Sequence, residues 1–571
     1  MNRRLGLALA MGALVWSGLT PTAEAGGLEF PAAGSTALGR GGAMFARPGD
    51  PMALYYNPAN LAASQGIQLS LQTHLALYEA CHRRGGTYVS HEGTPTAEAD
   101  TPDPARDPDQ RVIPGNEFNP SAFNPDTDGD LLADMPVPDT AMPEVCNSGP
   151  PGVVPELVLT WRAHEMVGIG IGFLTPAAVG HTVWGNDQRV GDRTYRGIQD
   201  GLPAPTRYNL IEEQLIAAWP TIGIGVAPHP RIRFGASMGF GFALVDFQSI
   251  VRATRGEDFA GDVFSELSVS DSFIPKITAS VHAVPHDNLD VSLTFIWTDD
   301  IRADGDLTLT SGYYRAEPLE ELKIDGVELE VSQPWQLAFG LRYADRIAPR
   351  PRNPDDVSRL SGRVEDPMAN ERFDIELNVV YERNSRVDDF NVNLPTNPDP
   401  SSNGLWTILA DTGIPASIPP SLRLPHNWQD QLSVRLGADY NIMPGLAAIR
   451  VGFSFETKGI EDGYEQIDFL PFMRFGGHIG LTMRVGMFDL TLAYAHIHQF
   501  EATVSEEEAR VRQVNADSRI QEICRGGGGE VPDELCSSDG TSNFGEGTVI
   551  NTGRFTSNFD VVSLGLTYHF R

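Results

Sequence analysis

The chain has 571 residues, with 75 Asp and Glu against 42 Lys and Arg and a formal net charge of −33. Such an acid excess excludes a nucleic-acid partner, whose affinity comes from cations set against phosphates. Past the first 25 residues there is no run of about 18 consecutive apolar residues, which excludes a helical membrane span and leaves a soluble fold, a secreted protein or a membrane barrel.

Residues 1–25 read as a secretory signal. Arg3 and Arg4 form its basic start, Leu5 to Leu19 its apolar stretch, and Ala23-Glu24-Ala25 its small-x-small cleavage site. Residues 26–65 follow, rich in Gly and Ala, broken by Pro48, Pro51 and Pro58, and with neither a helical nor a strand period. This composition predicts tight turns and close backbone contacts, a segment able to sit inside something larger. It holds the run Gly39-Arg40-Gly41-Gly42-Ala43 and a box made of Asp50, Ala53 and Asn57-Pro58-Ala59. Pro58 fixes φ and Asn57 can bond its own backbone, so the box reads as a stiff turn.

From residue 66 onward the period changes to two. Between Arg231 and Leu244, one face reads Ile232, Phe234, Ala236, Met238, Phe240, Phe242 and Leu244, and the other Arg, Gly, Ser and Ala. A membrane strand needs about 9–11 residues, apolar toward lipid and polar or small toward the lumen. Fourteen segments fit: 66–80, 153–164, 166–175, 212–227, 231–247, 273–284, 289–301, 333–345, 372–384, 430–441, 447–457, 473–484, 487–499 and 559–570. Charges of both signs fall on the polar face, where a wet or plugged lumen can pair them. Short turns alternate with long connections, as in barrels with short periplasmic turns and long outer loops. The connection 346–371 is the exception, because the register puts it on the short side. Tyr78, Trp161, Trp219, Trp297, Tyr343, Tyr381, Tyr440, Tyr494 and Tyr568 stand near strand ends and suit aromatic girdles.

The acidic residues crowd into the long connections, chiefly 81–152, 385–429 and 500–558. Four cysteines bracket two of these insertions, and in an oxidising compartment they predict the disulfides Cys81–Cys146 and Cys524–Cys536. Asp126, Asp128, Gly129 and Asp130 match the first half of a calcium loop, making 124–134 a candidate calcium site, although Met135 stands where the closing Glu belongs. Gly235-Ala236-Ser237-Met238-Gly239 matches a hydrolase pattern that needs a strand-to-helix turn, and here it lies mid-strand. No catalytic residues are expected. His496 and His498 share a strand face without a carboxylate or Cys at metal spacing.

The small-residue run, the Asp50–Ala59 box, the fourteen segments and the closing strand Phe559 to Phe570 resemble the FadL-type outer-membrane transporters of long-chain fatty acids and hydrocarbons. The resemblance implies an all-β fold, a 14-stranded antiparallel transmembrane β-barrel over 66–571 with an N-terminal hatch, 26–65, in its lumen. It also implies a monomer in the bacterial outer membrane, in contact with outer-membrane lipid, without enzyme activity or cofactor. Its partner would be a hydrophobic small molecule, caught at an outer apolar site, passed to a pocket beside the hatch, and released sideways through the third strand. On this reading Asn57, Pro58 and Ala59 gate the hatch, and Gly168, Gly170 and Gly172 permit a lateral opening. Arg231, Arg233, Arg435, Arg450 and Arg484 are the candidates for an anionic head group. The competing expectation is a barrel-anchored surface protein whose acidic, disulfide-tied loops bind calcium or a partner.

Overall fold

Alternation at period two has a visible consequence in the structure, a computed structural model. Leu564 is 57% exposed on the outside while its neighbour Ser563 is fully buried within. The structure describes residues 32–86, 141–175, 180–190, 192–252, 262–314, 318–347, 365–402, 404–409, 415–513 and 549–570. The expected export signal, the calcium-type tract with Asp126, Asp128 and Asp130, and the pair Cys524 and Cys536 lie outside these residues.

Fourteen antiparallel strands close on themselves. They are β1 (Ile67–Arg84), β2 (Gly152–His164), β3 (Val167–Leu174), β4 (Glu212–His229), β5 (Ile232–Arg252), β6 (Asp262–His286) and β7 (Leu289–Thr298), then β8 (Gln336–Arg346), β9 (Glu371–Glu382), β10 (Gln431–Met443), β11 (Ala447–Glu456), β12 (Arg474–Val485), β13 (Phe488–Gln499) and β14 (Gly553–Phe570). Each pairs with the next, and β14 returns to β1 over the full length from Ile67↔Phe570 to Arg84↔Gly553. Closure leaves no unpaired edge for lipid to meet.

Every strand presents an apolar row outward. On β1 this is Ile67, Leu71, Leu75 and Leu77, against the buried Gln68, Ser70, Gln72 and His74. On β11 it is Ile449, Val451 and Phe453, against Arg450, Ser454 and Glu456. A soluble sandwich hides its apolar face, and this molecule displays it, which is the arrangement of a membrane-spanning barrel. No helix is long and apolar enough to cross a membrane. Trp161, Tyr343, Tyr440 and Phe570 contribute to the outward rows. Two of the expected girdle aromatics do not. Trp219 is buried and bonds the Ile274 carbonyl through Nε1 at 3.0 Å, and Tyr78 stacks on Phe559 inside the wall.

Five of the six connections at one end are two or three residues long, at 165–166, 230–231, 287–288, 444–446 and 486–487. The sixth, 347–370, joins β8 to β9 and lies at this same short-turn end despite its length. At the other end the long connections carry strands of their own. The outer half of β6 pairs with Ile301–Ser311, which pairs with Glu320–Val331. Asp389–Asn393 and Ser421–Pro425 extend that sheet. Its apolar residues Leu267, Leu307, Leu309, Ile324, Leu329, Val392 and Phe390 join Trp428, Phe469 and Phe472 in one cluster over the lumen. Cys81 and Cys146 form a disulfide between directly opposed ladder positions, closing the connection between β1 and the segment before β2.

Candidate functional site

Residues 32–65 fill the lumen with the short helices α1 (Ser35–Gly39) and α2 (Ala53–Tyr56) and a 3-10 turn over Pro58–Ala63. Two strands of the wall that receives them are graded from end to end. Reading outward along β9, the inward residues are Asp374, Glu376 and Asn378, then Val380. Along β13 they are Asp489 and Thr491, then Ala493, Ala495 and Ile497. On these two strands the half nearer the short turns is charged and the half nearer the long loops apolar, while β10, β11 and β12 carry the ion pairs Arg435–Glu456 and Arg474–Glu456, around the buried Glu456, in their outer halves.

The charged half is an ion network built around the hatch. Asp374 and Asp439 stand directly opposite each other on β9 and β10, a destabilising pair when left alone. Arg40 and Arg47 of the hatch neutralise them. Arg40 meets Asp374 at 2.8 Å, Glu376 at 3.3 Å and also Asp439, and Arg47 meets Asp439 at 2.8 Å and also Asp374. Arg342 reaches Asp290 at 3.2 Å, Asp374 at 2.9 Å and also Glu371. Hatch backbone amides complete the seat. Ala46 N–H donates to Glu376 at 2.7 Å and Met44 N–H to Asn378 at 2.9 Å. Arg40, the single charge of the GRGGA run, is therefore the hub of the plug, a role that its sequence context did not reveal.

The Asn57-Pro58-Ala59 box sits against β3, β4 and β5. Asn57 does not bond its own backbone through its side chain: its Nδ2 donates to the Phe45 carbonyl at 2.6 Å, tying two hatch segments together. Ala59 N–H donates to Ser280 Oγ at 2.9 Å. Gly168, Gly170 and Gly172 face the hatch at Leu54, Leu61 and Ala62, joined by Gly223, Gly225 and Gly235 from the next two strands, the last two against Pro58 and Ala59. A methyl group at Gly168 would overlap the Leu61 carbonyl, and one at Gly235 the Ala59 backbone. These glycines admit the hatch to within van der Waals contact of the wall. The β3–β4 ladder runs unbroken through the three on β3, from Val167↔Val226 to Leu174↔Trp219. Gly235 opens the G-x-S-x-G match, whose Ser237 is buried mid-strand in that same wall.

The wall changes just beyond Leu174. A second described stretch of pairing to β4 runs from Gly180↔Leu215 to Val183↔Glu212. Between the two registers β4 advances four residues and the partner chain six. On the other side β2 loses β3 as a partner above Leu157↔Phe173, and Thr175 Oγ1 caps the Pro155 carbonyl there at 2.7 Å. Leu54, Leu61, Val158 and Leu174 form one buried apolar cluster at this height, with Tyr55 against it. Val153, Phe173 and Ile216 are exposed on the outer side. Apolar residues thus stand on both the hatch side and the outer side of the wall at the end of β3. Higher up, beneath the added sheet, lies a cavity of about 60 Å³ lined by Leu267, Leu307, Val392, Leu422 and Leu424, with Gln466 and Asp468.

All five nominated arginines meet carboxylates. Arg231 pairs with Asp287 at 3.7 Å, Arg233 with Glu365 at 3.0 Å, Arg435 with Glu456 at 3.4 Å, Arg450 with Asp439 at 3.1 Å, and Arg484 with both Asp366 and Asp489 at 2.6 Å. They are spread over several strands; Arg450 and Arg484 line one cavity of about 50 Å³ with Arg47, Asp366 and Asp489, and the other three do not reach it. Among the described residues, the one group of His, Cys, Asp and Glu tight enough to share an ion is Cys81, Glu144 and Cys146. Its two sulfurs are spent in the disulfide, so it offers no thiolate. His496 instead faces Asp560 at 3.0 Å and His498 faces Asn558 at 2.7 Å.

No protein-family model matches the chain. No curated protein matches it either. Solved structures do. A Pseudomonas aeruginosa FadL homologue aligns with a TM-score of 0.58 and 12% identity over 96% of this chain and 100% of that one. The Pseudomonas putida toluene transporter TodX aligns at 0.52 and 14% identity over 95% and 99%, and the Ralstonia pickettii toluene transporter TbuX at 0.51 and 10% over 95% and 99%. At these identities the likeness is one of fold, and it spans nearly the whole of both chains.

Proposed function

We propose that this chain, which has the FadL-type fold, is a passive outer-membrane channel for hydrophobic molecules. The observation that carries the reading is the plugged barrel: an ion network seats the hatch near the short turns, and beside the hatch Leu54, Leu61, Val158 and Leu174 form one buried apolar cluster. A guest gains about 0.8 kcal/mol for each CH₂ taken out of water, so apolar walls hold it without chemistry. It would enter through the cavity under the added sheet and settle above Leu54 and Tyr55. It would then leave sideways past Leu174 into outer-membrane lipid. The hatch box Asn57-Pro58-Ala59 would move as one piece, because Asn57 ties it to Phe45. Gly168, Gly170 and Gly172 would let it slide against the wall. The pairing of all five arginines favours neutral hydrocarbons over carboxylated guests, since a fatty-acid head would have to break an existing ion pair. The fold likeness to a FadL homologue and to toluene transporters supports the same class of guest.

The test is uptake by vesicles carrying the purified full chain, with toluene, a long alkane and oleate as probes. Uptake of the neutral probes above that of empty vesicles is expected, with oleate slower. Rates equal to empty vesicles for all three would sink the reading. The competing view, a barrel that displays acidic loops, draws on the Cys81–Cys146 disulfide at the base of one such loop. Deleting residues 90–140 separates the two, since uptake survives if the lumen does the work.

A further inference from the structure

The long connection between β8 and β9 returns to the barrel through Glu365 and α3 (Pro367–Asn370), and this piece is built into the short-turn mouth. Asp366 caps the helix, accepting from Ala369 N–H, and Pro367 takes the first-turn place that needs no amide. Glu365 is buried, and its carboxylate accepts from Arg233 of β5 at 3.0 Å and from Arg346 of β8 at 3.2 Å. Its amide donates to Ala63 and its carbonyl accepts from Gln65, at the end of the hatch. Gly49 of the hatch, at φ +82°, lies so close to that carbonyl that a side chain would collide with it. The adjacent residue, Asp366, accepts from Arg484 of β12 at 2.6 Å. Asn441 of β10 donates to the carbonyls of Pro367 and Glu371 at 2.9 and 2.7 Å.

In a ring of fourteen strands, β5 and β12 are seven apart in either direction, so they face each other across the lumen. Two consecutive residues therefore tie opposite walls together. We propose that Glu365–Asn370 is a crossbar, a second seal distinct from the hatch, that keeps ions and hydrophilic solutes from passing along the axis while the sideways route stays open. The reasoning is electrostatic and steric. A hatch that shifts to release a guest would otherwise uncover a charged, wettable lumen leading straight through. Arg233 also donates to Asn60 of the hatch at 2.9 Å, so the crossbar and the hatch share one cation.

The proposal depends on the barrel spanning a membrane and is indifferent to which guest it carries. Its test is ionic current through the full chain in planar bilayers bathed in KCl, for wild type, the double variant Glu365→Ala/Asp366→Ala, Arg484→Gln and Asn441→Ala. Losing a tie should raise the open population about tenfold, seen as open-channel events rare in wild type, while toluene uptake into vesicles stays near wild type. Arg484→Gln and Asn441→Ala keep the test alive if the double variant does not fold, since each frees the crossbar from a different strand. Wild-type current in the folded variants would overturn the crossbar, as would a wild type that already conducts as the variants do. If uptake is absent throughout but the currents rise as expected, the transport reading has failed and the seal has not.

Discussion

Replacing Arg40 by Ala should destabilise the protein by about 3–5 kcal/mol, the cost of breaking a buried ion pair from one side. The reason lies in the register. Asp374 and Asp439 oppose each other across the β9–β10 ladder, with Glu376 one inward position away, and Arg40 contacts all three. Without its guanidinium, Arg47 alone from the hatch faces this cluster, and buried carboxylates are left under-compensated. Urea unfolding in detergent and protease cleavage within 32–65 measure the two consequences, a lower midpoint and a hatch that comes loose. Arg40→Lys should fall between, since one ammonium cannot serve three carboxylates in the planar geometry of the fork. Asp374→Asn placed in the Arg40→Ala background should recover part of the loss by removing the repulsion. An Arg40→Ala chain that unfolds at the wild-type midpoint would show that the network does not hold the plug.

Deleting Pro176 and Ala177 should slow uptake of hydrophobic probes about tenfold, equivalent to ~1.4 kcal/mol on the barrier, without harming the fold. The arithmetic is that of the two registers: the chain spends six residues between Leu174 and Gly180 where β4 spends four between Trp219 and Leu215. Removing two gives both chains the same four-residue spacing between the two registers. Because two is the side-chain period of a strand, no residue beyond the deletion changes face. The proposed exit past Leu174, Val158 and Tyr55 would then lose the extra chain length beside it. Vesicle uptake measures the effect, and circular dichroism with thermal unfolding confirms an intact barrel. Undiminished uptake would move the exit elsewhere. Substituting Gly168 is a poorer test, because a side chain there strikes the hatch and confuses gating with stability.

Strand number, strand order and the direction of each face were legible in the chain itself. They are local properties: a period of two in apolar residues survives whatever lies next door, and β5, with Phe234, Met238 and Phe240 outward, needs no partner to declare its lipid side. The same locality misled where one residue type serves two environments. Trp219 and Tyr78 stand near strand ends as girdle residues do, yet they turn inward to fill space over the lumen. The hairpin Ile301–Val331 alternates too, but with Asp, Glu and Lys on its free face, so it lacks the stamp of a lipid-facing strand and reads as loop. Glycines on β3 suggested a weak strand, and only their neighbours show that they make room for Leu54 and Leu61 of the hatch.

What the tertiary structure alone decided is pairing. Arg40 finds carboxylates more than three hundred residues away, and Glu365 and Asp366 bridge walls that are strangers in sequence. Whether a lumenal arginine is a binding site or one half of an ion pair depends on which strands closure brings together. Each charge must find its counter-charge across the barrel, and the cost of burying it alone is what selects the arrangement.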